Sequence, residues 1–174
     1  MRVADLVADL KRPWRHGEHL DGRGLVLDDP LVLDGLEVRG IDFSNAVFKA
    51  GISARGTRFR GLAWMRGAEV RGSCDLTGAV FRTDFRADGL RAGDVRLDGC
   101  RLEGVLSFAG AYLGSLSLEG GLVMANMTLE QAVITGGVDL TGAEVMGGFW
   151  TAGAEIKELR DAGAEISGRV RLPG

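Results

Sequence analysis

The sequence predicts an all-β solenoid headed by a short helix, and three observations predict it. From Gly99 to Leu172 the chain repeats every ten or eleven residues, as GCRLEGVLSF, GAYLGSLSL, GGLVMANMTL, QAVITGGVDL, GAEVMGGFWT, GAEIKELRD and GAEISGRVRL. Each unit carries two apolar-x-apolar pairs about five residues apart, for example Ala111/Leu113 with Leu116/Leu118 and Ala132/Ile134 with Val138/Leu140. Glycine punctuates the pattern (28 Gly against 3 Pro), and 45% hydrophobic residues provide enough apolar surface for a real core. A fixed short period marks stacked repeats, each too small to bury its apolar face alone. Apolar-x-apolar spacing places two side chains inside a very short strand and the intervening one outside.

At the head, Val3, Leu6, Val7 and Leu10 fall at helical spacing, Trp14 extends the stripe, and Pro13 stops it. Residues 1–24 are therefore a helix and loop that cover the apolar end of the first coil and block edge pairing there. In WRHGEHLDGRG, His16, Glu18 and His19 are too few for a metal centre, and the stretch reads as a solvated loop. No metal or other cofactor is expected. From Leu25 a ladder begins and fills residues 25–174 as one repeat domain. Its pairs are Leu25/Leu27, Leu31/Leu33, Leu36/Val38, Ile41/Phe43 and Ala46/Phe48, loosening at Gly51/Ser53. It tightens again at Thr57/Phe59, Leu62/Trp64, Ala68/Val70, Cys74/Leu76 and Ala79/Phe81, blurs over 84–90, and runs from Val95/Leu97 to Val170/Leu172. Glycines at 72, 78, 104, 110, 136, 142, 147 and 168 are placed to turn corners.

IDFSN-AVFKA (Ile41 to Ala50) is similar to two units of the pentapeptide-repeat family. Its motif is a small residue, then Asp or Asn, then Leu or Phe, then two polar residues. The resemblance extends over roughly residues 25–172 and implies a right-handed, four-sided β-helix with one pentapeptide per side. About 28 pairs from Leu25 then make about seven coils, a rod on the order of 34 Å long. From residue 57 the first residue of each pair alternates between a small set (Thr57, Ala68, Ala79, Cys100, Ala111, Gly121, Ala132, Ala143, Ala154, Ala164) and a larger one (Leu62, Val95, Leu106, Leu116, Met127, Val138, Phe149, Leu159, Val170). Alternate sides of a four-sided coil face each other, which predicts a rectangular section. A mean spacing above five predicts about 21 residues per coil with bulged corners. A three-sided β-helix like that of the filament-forming bactofilins, with coils near eighteen residues, is the alternative. It would not keep the two-side alternation in register.

That register makes the outside legible. Arg39, Arg60 and Arg82 stack in one column followed by Glu103, and Lys49 stacks with Arg71 in another. Residues 49–101 carry eleven basic and six acidic side chains, whereas 102–156 carry six acids and no Lys or Arg. The arginines could grip a phosphate backbone or an acidic partner. The favoured reading is that their stems cover the sheet and pair with Asp75, Asp84, Asp88, Asp94 and Asp98. Tyr112, Leu122, Val133 and Trp150 are outward apolar candidates for a contact surface. Cys74 and Cys100 fall at inward positions as inert thiols. Asp161 also falls inward, where a carboxylate is costly, so a bulge is expected there.

A net charge of −3, the absence of any run of roughly 18 apolar residues, and a start (MRVADLVADLKRPW) interrupted by Asp5 and Asp9 point to a cytoplasmic protein with neither a membrane nor a nucleic acid as partner. No catalytic motif is present, and an enzyme is not expected. The expected function is a non-catalytic scaffold for a protein partner. The resemblance also implies a homodimer through the C-terminal coil, at Ile166, Val170 and Leu172. It supplies a second functional reading, a DNA mimic that binds type II topoisomerase and confers resistance to quinolones or toxins.

Overall fold

The computed structural model describes residues 1–13 and 15–171; Trp14 and Leu172 lie outside them. Helix α1 (Val3–Leu10) buries Leu6 and Leu10 completely against the first coil, with Val3 and Val7 packed at the margin. The Arg39 N–H donates to the carbonyl of Leu10 (3.1 Å), tying the helix C-terminus to the coil.

The rest is a parallel β-solenoid of seven coils with four walls. Wall I is an eight-stranded ladder that begins at His19–Asp21, continues through Gly40–Asp42 and Ala63–Trp64, and ends at Val170–Arg171. Its first strand therefore lies within the stretch read from sequence as a loop. Its partners are 21 or 22 residues apart: Leu20 faces Ile41, Ile41 faces Ala63 and Phe85 faces Leu106. Wall IV is a seven-stranded ladder from Glu37–Val38 to Glu165–Ile166. Walls II and III start as separate short strands (Val26–Leu27 and Leu31–Val32) and merge from Arg91–Arg96 onward into single strands that run across the corner. Four walls exclude the three-sided winding.

Inward side chains form one continuous apolar core from α1 to the last coils. Walls II and IV carry the small set and walls I and III most of the larger one, so the two sets occupy facing walls. Phenylalanines stack through the middle. The Phe59 and Phe81 rings lie 4.9 Å apart and nearly parallel, and Phe85 and Phe108 continue the cluster on wall I.

Two kinds of corner alternate round the coil. The I–II and III–IV corners always separate successive buried pairs by five residues, as from Ala63 to Ala68 and from Cys74 to Ala79. Each is a turn closed by an i+3 N–H to i carbonyl bond with a left-handed third residue, the type II pattern. Glycine fills that place except at Asn45 and Gln131, both at φ 60. The II–III and IV–I corners take either five or six residues, and this produces coils of 21 or 22.

The longer corners correct two sequence assignments. After Ala46/Phe48 the buried pair is Ile52/Ala54, not Gly51/Ser53, and after Thr57/Phe59 it is Ala63/Met65, not Leu62/Trp64. In each case one extra corner residue moves the inward set on by one. At the IV–I corner glycine is required by crowding rather than by φ: a Cβ on Gly147 would lie 2.5 Å from the backbone carbon of Ala125 in the coil below.

Asp161 is a further correction. The hydrogen bonds Leu140 N–H to Arg160 O (2.6 Å) and Gly142 N–H to Ala162 O (2.9 Å) keep it in register above Leu140, without a bulge. It is exposed because it belongs to the last coil described, where Ile156, Leu159 and Ile166 are also only partly covered.

Candidate interaction surface

A filled rod places its chemistry outside, so the surface is built from outward columns. The Arg39, Arg60 and Arg82 column exists at the IV–I corner. The Arg60 N–H bonds Val38 O (2.9 Å), the Arg82 N–H bonds Phe59 O (3.1 Å), and the Glu103 N–H bonds Phe81 O (2.9 Å). Its charges are shared locally. Arg39 reaches Asp9 (3.3 Å) and Glu18 (3.8 Å), Arg60 is paired with Glu37, and Arg82 with Glu103 (3.3 Å). In the second column Lys49 lies 2.7 Å from Asp28 and Arg71 lies 2.6 Å from Glu69. Of the acids proposed from sequence, Asp75 and Asp84 take part, with Arg55 (3.7 Å) and Arg86 (2.8 Å). The exposed pairs among these, all but those of part-buried Arg39, contribute about 0–1 kcal/mol each, so their effect is to level the surface potential more than to stabilise the rod.

The apolar candidates divide among walls. Tyr112 and Val133 are register neighbours on wall II, with Tyr112 half exposed. Leu122 stands on the facing wall IV, and Trp150 on wall I. Sequence reasoning missed Met124 and Met146, 38% and 48% exposed. They continue the arginine column: the Met124 N–H bonds Leu102 O (2.9 Å) and the Met146 N–H bonds Val123 O (2.8 Å). Following the register one coil beyond Glu103 would have found them. Leu122 flanks this corner on wall IV. On the wall I side, a Cβ on Gly148 would lie 2.8 Å from Trp150 Nε1, so the indole folds back over Gly148 toward the same corner. One corner thus reads, coil by coil, as three arginines, a glutamate and two methionines.

The reactive side chains are not on this surface. Cys74 and Cys100 are free and buried, and burial pushes each thiol up to about 12. We expect no reaction with an aromatic disulfide reagent at pH 8 in the native protein and two thiols on unfolding, read by absorbance; rapid native labelling would place a thiol outside the core. His19 lies exposed on the first strand, and Glu18 is engaged with Arg39. No group of His, Cys, Asp and Glu among the described residues could hold a metal ion, and no helix among them is long and apolar enough to cross a membrane. Asp75 and Asp139 serve the turns. Each accepts from the N–H two residues on, at Thr77 (3.0 Å) and Thr141 (2.9 Å).

Comparison with known families gives one match. A model described as pentapeptide repeats (9 copies) covers residues 33–80, the first coils of the rod. No curated protein matches the chain.

Proposed function

We propose that the chain, whose residues 33–80 match the pentapeptide-repeat model and which winds as a four-walled β-solenoid, is a pentapeptide-repeat protein acting as a non-catalytic scaffold that docks a protein partner on its methionine corner. The observation that carries this reading is the exposed Met124–Met146 pair, flanked by Leu122 and Trp150, in a stretch (102–156) without a single Lys or Arg. Unbranched, polarisable methionines adapt to a partner's shape, and an apolar centre rimmed by charges such as Glu103 and Glu144 is the usual anatomy of a protein contact. The expected result is that M124E/M146E loses the partner captured by the wild-type protein while its melting temperature moves by less than about 2 °C. Retention of the same partner by that variant would sink the assignment.

The partly covered apolar residues of the last coil, Ile156, Leu159, Ile166 and the exposed Val170, are where the scaffold would meet a second copy of itself. Light scattering at several concentrations tests this, and a strict monomer contradicts it.

The DNA-mimic reading has the acidic stretch 102–156 in its favour. Those acids are spread round the rod: Asp139 on wall III, Glu144 on wall IV, Glu155 on wall II and Glu103 at a corner. A duplex mimic needs a continuous track, so the scaffold is the better reading. Inhibition of gyrase supercoiling at micromolar protein would reverse that order.

A further inference from the structure

We propose that the cleft between the C-terminal end of α1 and the first IV–I corner binds a small phosphate-bearing anion. The cleft has a volume of about 440 Å³, and its walls include Lys11, Arg12, Arg39 and Arg60 with Glu37 as the one carboxylate. Cap and coil bring these cations together from three separate stretches of chain.

Arg39 is the centre of the argument. Its side chain is only 14% exposed, held by Asp9 and Glu18 through its two terminal nitrogens. Its Nε is fully buried and has no acceptor among the described residues. A buried donor without a partner carries an uncompensated loss of hydration; because Arg39 also lines the cleft, a small turn of its guanidinium toward a bound oxyanion would give that N–H an acceptor. Arg12 lies 3.4 Å from Asp9, Arg60 is paired with Glu37, and Lys11 has no ion pair among the described residues. Four cations (Lys11, Arg12, Arg39, Arg60) against three carboxylates (Asp9, Glu18, Glu37) leave one positive charge in excess.

The donor set selects the class of ligand. Three guanidinium forks and an ammonium offer more N–H groups than a carboxylate's two oxygens can accept. A phosphate brings at least three acceptor oxygens and a charge near −2 at neutral pH. Because Asp9, Glu18 and Glu37 compete for the same cations, binding is weak and sensitive to salt. The volume admits inorganic phosphate or a phosphomonoester, and the two share this recognition chemistry.

The test is titration of the full chain with inorganic phosphate and, separately, with adenosine monophosphate. Calorimetry and 15N shifts of the arginine Nε groups are the readouts, against sodium chloride at matched ionic strength. Saturable binding in the millimolar range is expected, with movement of the Arg39 Nε signal. K11A should weaken it about threefold, E37Q should tighten it about threefold by removing a competitor, and K49A, on another column, should leave it unchanged. Tighter binding of the nucleotide would assign the site to a phosphomonoester, and equal binding to free phosphate. Absence of saturation by about 20 mM, or equal affinities for wild type, K11A and E37Q, would overturn the proposal.

Discussion

Replacing Leu118 by aspartate is expected to remove more than about 4 kcal/mol of stability and to abolish cooperative folding at pH 7. Leu118 is completely buried on wall III, in the same inward column as Leu97 below and Leu140 above. A carboxylate there has no hydrogen-bonding partner and no water. The folded chain would keep it protonated, raising its folded-state pKa, while the unfolded chain ionises near pH 3.9. The loss therefore grows as pH rises above that value, and L118D should be less destabilised at pH 4 than at pH 7. Urea unfolding followed by circular dichroism at the two pH values checks both statements. A change under about 1 kcal/mol at pH 7 would mean that the column is not sealed. The chain supplies its own control in Asp161, which occupies the next rung of that column and is exposed.

Phe81→Ala has the next largest expected effect, about 3–5 kcal/mol. Phe81 is 1% exposed, and its ring lies 4.9 Å from Phe59 in the coil below and 4.9 Å from Phe85 on the adjoining wall. Truncation removes both ring contacts, and the cavity is bounded by backbone ladders that are fixed by hydrogen bonds at every rung, so it cannot collapse far. Phe81→Leu, which keeps most of the volume, should cost about 1 kcal/mol. Equal losses for Ala and Leu would show that shape, not volume, governs the site.

These two substitutions rest on features legible before any coordinates. Inward residues such as Phe81, Leu102, Leu118 and Ile134 were identified from the apolar-x-apolar pairs alone, because burial on a strand alternates with a period of two. The N-terminal helix was legible for the same kind of reason, since Leu6 and Leu10 stand one helical turn apart. Where a corner takes a sixth residue was not legible. At Lys49–Gly51 the only sign is the loosening at Gly51/Ser53, and after Arg60 both Leu62/Trp64 and Ala63/Met65 are apolar pairs, so the shift of the whole following pair to Ile52/Ala54 and Ala63/Met65 is decided only by the stacking. The candidate site was legible only in part. Arg39, Arg60 and Arg82 formed the predicted column, but Asp9 and Glu18 as partners of Arg39 depend on how the N-terminal segment closes over the first coil, and Glu37 as partner of Arg60 on the coil-to-coil register.

The sequence by itself determined the period, the inside and outside of most rungs and the helix at the head, because each depends on neighbours within one turn or one strand. Only the tertiary structure decided which side chains lie above one another from coil to coil. Stacking depends on an offset of 21 or 22 residues, fixed by the ladder hydrogen bonds, and a difference of one residue moves a side chain from core to surface. That offset set Met124 above Glu103 and Met146 above Met124, and together with the docking of α1 it closed the cationic cleft around Arg39.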